Sequence, residues 1–161
     1  MRKTWQEKMA DKENFPKILK LEKRFPCYNA VHKMGANEGD DVVLVNPSEI
    51  IPFMKRVPKG KLITITQICQ KIARKHNVKG CCSLTTGIFI MTIANAVEEM
   101  NEGGKDLRIP YWRTLKADGE LNEKYPGGAL MQRRLLTKEG FAVVKKGKKY
   151  FVRNFQDNLA R

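Results

Sequence analysis

Apolar residues recur at helical spacing in three stretches of the chain. Ile50, Ile51, Phe53, Met54 and Val57 form the first face. It follows Asn46-Pro47, an asparagine cap before a proline at the first helical position, and Glu49 stands in the first turn. Ile65, Ile68, Cys69, Ile72 and Ala73 form the second face, with Lys71, Arg74 and Lys75 turned outward. The capping box Thr64-Ile65-Thr66-Gln67 opens it. A cysteine on that stripe reads as a small core residue. The third stretch follows Cys81-Cys82-Ser83-Leu84-Thr85-Thr86-Gly87 and predicts a helix through Met100, apolar nearly all round from Ile88 to Val97.

Shorter signals fill the gaps. Thr4-Trp5-Gln6-Glu7 is a further capping box, predicting a short helix toward Asp11. Lys17–Phe25 has no clear period. Cys27–Asp41 reads as loop, given Pro26, Asn29, Gly35, Asn37 and Gly39. Val42–Val45 reads as a short buried strand. Phe141–Val144 and Tyr150–Val152 flank Lys145-Lys146-Gly147-Lys148-Lys149, a hairpin with a four-lysine tip.

Two successive helices joined by a short turn around Gly80 fit a helix-turn-helix. The second helix stands where a recognition helix should be, yet holds no Lys or Arg between Gly80 and Glu99. That is unlike a major-groove reader, which needs donors for base edges.

Charge then narrows the class of partner. The 161 residues carry 31 Lys and Arg against 17 Asp and Glu, a formal net charge of +14. Such an excess favours a polyanion, and nucleic acid is the first candidate, although a well-solvated surface also uses cations. A membrane partner is not expected. The longest apolar stretch, Gly87–Val97, is too short to span a bilayer, and no basic amphipathic face is present. The polar N-terminus does not read as a secretory signal. Cys27, Cys69, Cys81 and Cys82 form no Cys-x-x-Cys pair, and His32 and His76 lie off metal-ligand spacing. Neither a metal nor another cofactor is expected, and reduced thiols in the cytoplasm are the simplest reading.

The densest motif runs through Arg108-Ile109-Pro110-Tyr111-Trp112-Arg113, the tight turn Ala117-Asp118-Gly119, and Tyr125-Pro126-Gly127-Gly128. It ends in Leu135-Leu136-Thr137-Lys138-Glu139-Gly140. Pro110 fixes its own φ and extends Ile109, and an aromatic pair beside a cation can present flat surface to a flat ligand or plug a core.

This stretch resembles the DNA-binding domain of methylated-DNA–protein cysteine methyltransferases and of their non-catalytic relatives, the alkyltransferase-like proteins. The family carries its acceptor cysteine in an Ile/Val-Pro-Cys-His-Arg turn, followed by Pro-Gly-Gly and Leu-Leu-x-x-Glu-Gly. Ile109-Pro110, Arg113, Pro126-Gly127-Gly128 and Leu135–Gly140 fit, while Tyr111 stands at the cysteine position and Trp112 at the histidine position. The Pro58-Lys59-Gly60-Lys61 turn ahead of the helix pair also resembles the family.

The resemblance implies an α+β, winged-helix-like helix-turn-helix DNA-binding domain over 47–152. A small C-terminal β-hairpin belongs to it, a basic N-terminal extension (1–46) precedes it, and a polar tail (153–161) follows. It also implies a function: a non-catalytic DNA-binding protein, sensing alkylated or otherwise modified bases for repair. The partner would be double-stranded DNA, gripped through the minor groove by a monomer, with a repair protein as second partner. The location would be cytoplasmic, or nucleoid-associated in a bacterium or archaeon.

A phenol with a pKa of about 10 and no neighbouring base is a poor alkyl acceptor, so no catalytic residue is assigned. The implied base pocket is Pro110, Tyr111, Trp112 and Glu139, with Glu139 accepting from the Trp112 indole N–H. The implied DNA face comprises Lys59, Lys61, Lys79, Ser83, Leu84, Thr85, Thr86, Gly87, Arg113, Lys116, Arg133 and Arg134. Leu84 stands where the family inserts an arginine beside the flipped nucleotide, and Ile65 where it has a DNA-contacting tyrosine. An apolar wedge at Leu84 is then the alternative to an arginine finger. Two other readings stay open: an alkyl acceptor using the displaced Cys81 or Cys82, and an RNA- or protein-interaction module on the same scaffold.

Overall fold

A computed structural model describes residues 2–161. The fold is mixed α+β, with six α-helices and three small sheets among the described residues. In chain order the elements are α1 (Trp5–Ala10), β1 (Lys17–Lys20), α2 (Tyr28–Lys33), β2 (Asp41–Leu44), α3 (Pro47–Lys55), β3 (Ile63–Thr64) and α4 (Ile65–Lys75). Then follow β4 (Gly80–Cys81), α5 (Ser83–Glu102), β5 (Thr114–Leu115), α6 (Gly128–Lys138), β6 (Val143–Lys146) and β7 (Lys149–Val152).

The caps read from sequence act as expected. Thr4 and Thr64 each accept from the backbone of the residue three places on, and Glu7 and Gln67 return the bond to the cap backbone. Asn46 accepts from Ser48 N at the start of α3. Each satisfies donors that the first helical turn leaves free. The main core gathers Ile50 and Met54 of α3, Ile68, Cys69 and Ile72 of α4, and Ile90, Ile93, Ala94 and Val97 of α5 around Tyr111. A smaller cluster joins Leu21, Cys27 and Val31 to Val42 and Cys82, and a third joins Leu62, Leu115, Leu121 and Leu136 to Phe141 and Val152.

The N-terminal residues are integral to this body. β1 pairs antiparallel with β2 (Lys17↔Leu44, Lys20↔Asp41), and β2 pairs in parallel with β4 (Val42↔Gly80). Gly80 is required there, because a Cβ would stand 2.6 Å from Val31 Cγ1. α1 lies along α5, where the Glu99 carboxylate accepts from Trp5 N and Gln6 N. Part of the expected loop at 27–41 is helical, as α2, with Val31 buried against Leu21 and Val42. The last residues pack as well: Leu159 bridges Leu62, and Ala160 O accepts from Gln67 Nε2. β6 and β7 form the expected hairpin with Gly147 at its tip.

Candidate functional site

The Tyr111–Arg113 segment is a single 3-10 turn lying between α3, α5 and α6. Tyr111 is 1% exposed, and its hydroxyl donates to Glu98 Oε1 at 2.8 Å. Burial and that carboxylate push its phenol well above the usual tyrosine range. Trp112 and Tyr125 meet its ring edge-on, at 5.4 and 5.3 Å between centroids. Tyr111 is therefore a core residue tied to α5, not the wall of an open base pocket.

The expected Trp112–Glu139 bond is absent. Glu139 instead receives Arg113, with Nε 2.9 Å from Oε1 and Nη2 2.5 Å from Oε2. Arg113 Nη1 also donates to Val57 O at 2.7 Å. A guanidinium fork makes two charge-assisted bonds to a carboxylate, and a neutral indole makes one weaker bond, so the arginine wins. The Trp112 indole N–H is left buried without a partner. Arg113 thereby fastens the aromatic turn to the end of α6 and the end of α3, and it is not free to meet a phosphate. Gly127, at φ 76°, caps the start of α6, and Glu139 caps its end beside the arginine.

The residues assigned to the DNA face divide the same way. Ser83, Leu84 and Gly87 line one side of a groove of about 290 Å³ with Ile65, Ile88 and Met91. Lys116 and the Asn122–Lys124 loop form its other side. Leu84 and Ile88 are each 51% exposed. Thr85 is half-buried. Thr86 does not join that face: it is 1% exposed, with its hydroxyl 3.4 Å from Cys81 Sγ. Lys116 reaches the groove but is held by Glu123 at 2.8 Å and Glu120 at 3.5 Å. Lys59, Lys61, Lys79, Arg133 and Arg134 are exposed. They lie on turns and on α6, and Arg133 stands 5.6 Å from the Tyr150 ring.

Sequence reasoning overlooked Ile88, Met91 and Lys124 in the groove, and Glu98 behind Tyr111. The i, i+4 spacing of Leu84 and Ile88 was the available signal for the first.

A second cavity, of about 670 Å³, opens at the other end of α5. Trp112 and Pro110 line it together with Val97 and Asn101 of α5, Lys55 and Arg56 of α3, and Asp106 and Arg108. Gly87 and Asn101 are separated by roughly 20 Å along the helix axis at the α-helical rise per residue. The residues assigned to one base-recognition site are thus spread over both ends of α5.

All four cysteines are free and buried. Contact with Cys81 and burial hold the Cys69 thiol well above its usual range. The same contact from Cys69 and the Thr86 hydroxyl lower Cys81, but Cys81 is 0% exposed. Cys27 is pushed up to about 12 by burial and by its contact with Cys82. Cys82 is 5% exposed, its sulfur accepting from Thr85 N at 3.5 Å. Neither Cys81 nor Cys82 presents sulfur to an incoming alkyl group in this conformation. Among the described residues no His, Cys, Asp and Glu cluster suited to a metal is present, and no helix is long and apolar enough to cross a membrane.

No family model matches the chain, and no curated protein matches it. Among solved structures the chain is similar to S. pombe Atl1, solved in complex with damaged DNA containing O6-carboxymethylguanine. The two chains are 16% identical, and the match covers 71% of this chain and 93% of that one with a TM-score of 0.48. A likeness of that degree carries no argument about function.

Proposed function

We propose that this protein binds double-stranded DNA without catalysis. Its winged-helix-like scaffold would set the N-terminal half of α5 in the minor groove, with the β6–β7 hairpin as the wing. The observation that carries this reading is the pair Leu84 and Ile88, large apolar side chains left half exposed on the first turns of α5 in a chain of net charge +14. Minor-groove binders insert apolar wedges between base steps, while cations elsewhere on the surface hold the phosphates. Small residues beside the wedge let the backbone approach: a Cβ at Gly87 would meet nothing within 4 Å.

A modified base would then lie in the groove between Ile65, Leu84 and the Asn122–Lys124 loop, not among Tyr111 and Glu139, whose polar groups already have partners. Lys59, Lys61, Lys79, Arg133 and Arg134 would supply phosphate contacts. Each neutralised phosphate adds a slope of about −0.9 to the dependence of log affinity on log salt.

One titration series tests the proposal: duplex DNA with and without O6-alkylguanine, at two salt concentrations, against RNA of equal length. We expect salt-dependent duplex binding, tighter for the modified duplex, and no mass gained on any cysteine. Equal affinity for RNA would redirect the reading to an RNA module, and a cysteine adduct would make the protein an alkyl acceptor. The exposed apolar pair also suits a protein partner, and salt-independent failure to bind either nucleic acid would favour that second reading.

A further inference from the structure

The cavity at the C-terminal end of α5 takes no part in the DNA face just described. Its charge is lopsided. Lys55, Arg56 and Arg108 line it and form no ion pair among the described residues, whereas Asp106 is the lone carboxylate of the lining. Asp106 is itself engaged, accepting from Arg108 N at 2.8 Å.

Two of the three free cations have an ordinary structural use. Lys55 is the last residue of α3 and Arg56 its cap, where positive charge complements the helix dipole. Arg108 has no such use. It holds a left-handed backbone, φ 55°, that a non-glycine residue rarely adopts, and this conformation sets it in the cavity lining. The same lining includes apolar surface: the half-buried Trp112 indole, with Arg113 5.6 Å from its ring centroid, and the buried Pro110 ring.

We propose that this cavity binds a nucleoside phosphate. The phosphate would lie on Lys55, Arg56 and Arg108, and the base would lie against Trp112 and Pro110. Arginine and lysine around a phosphate supply charge-assisted bonds, and an indole face supplies stacking that tolerates any base. A volume of about 670 Å³ lies within the usual range for small-molecule sites. The nucleotide could come free from solution or as part of a nucleic-acid strand. The contacts are the same, and the experiment separates the sources.

The chain has two tryptophans, Trp5 and Trp112. Trp5→Phe therefore leaves Trp112 as the single fluorescent indole, at the cavity. In that background, guanosine 5′-monophosphate, guanosine, inorganic phosphate and a 5′-phosphorylated single-stranded oligonucleotide are titrated separately. The proposal requires a saturable fluorescence change with the monophosphate or the oligonucleotide, at least tenfold tighter than with guanosine or phosphate alone. Arg108→Gly, in which glycine accepts the left-handed backbone, and Arg56→Gln each weaken that binding at least fivefold, with the melting temperature lowered by no more than about 4 °C.

Binding of the monophosphate equal to that of the oligonucleotide identifies a free nucleotide. Tighter oligonucleotide binding, lost in Arg108→Gly, identifies a strand. No saturable change with either ligand, or binding indifferent to both substitutions, overturns the proposal. Because Arg108 lies outside the DNA face, Arg108→Gly leaves salt-dependent duplex binding within about twofold, so failure at the cavity and failure of the DNA reading are told apart.

Discussion

The two ends of α5 are built from opposite materials. The C-terminal end is acidic and fastened: Glu98 takes the Tyr111 hydroxyl, Glu99 takes two amides of α1, and Val97 is buried. The N-terminal end is uncharged and open, with Leu84 and Ile88 half exposed and a shallow groove beside them. Packing supplies the fastened end with its partners. Nothing among the described residues covers the open end, and apolar surface left out of a core is informative in a way that buried apolar surface is not. A single helix thus serves as core at one end and as presented surface at the other.

Substitutions should separate the two ends by their cost. The largest effect is expected from Arg113→Ala, which strips the partner from a Glu139 only 10% exposed and frees Val57 O. Removing one member of a buried ion pair costs about 3–5 kcal/mol, read as a lower denaturant midpoint at unchanged slope. Tyr111→Phe keeps the ring packing and removes the bond to Glu98, for a loss of about 1.5–3 kcal/mol, since one partner is charged. Tyr111→Ala would be a poor probe of any pocket, because it empties a core position.

Glu99→Gln weakens the hold on Trp5 N and Gln6 N and should cost about 1 kcal/mol, confined to α1 and visible as faster amide exchange there. Leu84→Ala with Ile88→Ala should change stability least, within about 0.5 kcal/mol per site, since both side chains are half in water. A loss of several kcal/mol from that pair would mean the open end is part of the core after all.

The sequence spoke clearly where signals were local. Asn46-Pro47, the Thr64–Gln67 box and the lysine-tipped hairpin placed α3, α4 and β6–β7, because caps, periods and turns lie within a few residues of one another. β1 was invisible because all four of its residues are exposed and so show no alternation; only its register with β2, more than twenty positions on, makes it a strand. Its exposed Ile18 and Leu19 sit between Lys17 and Lys20, charges that discourage further edge pairing. α2 was hidden for a similar reason, since Val31 finds its core partners in Leu21 and Val42, away from its own turn.

At the site, the motif residues were legible and their partners were not. Arg113 and Glu139 meet, yet whether Trp112 or Arg113 would capture Glu139 is a contest decided across 26 positions by donor geometry. The exposure of Leu84 beside a buried Thr86 is likewise a property of how α5 is rotated against the core, and an all-round apolar helix gives no moment from which to read that rotation.

The most direct test of the open-end reading compares duplex DNA binding by the wild-type chain and the Leu84→Ala, Ile88→Ala double variant across a salt series. The account predicts a roughly tenfold loss of affinity, about 1.4 kcal/mol, at every salt concentration, with the salt slope and the melting temperature unchanged. Affinity equal to wild type, in a variant that melts at the wild-type temperature, would contradict it and remove α5 from the DNA.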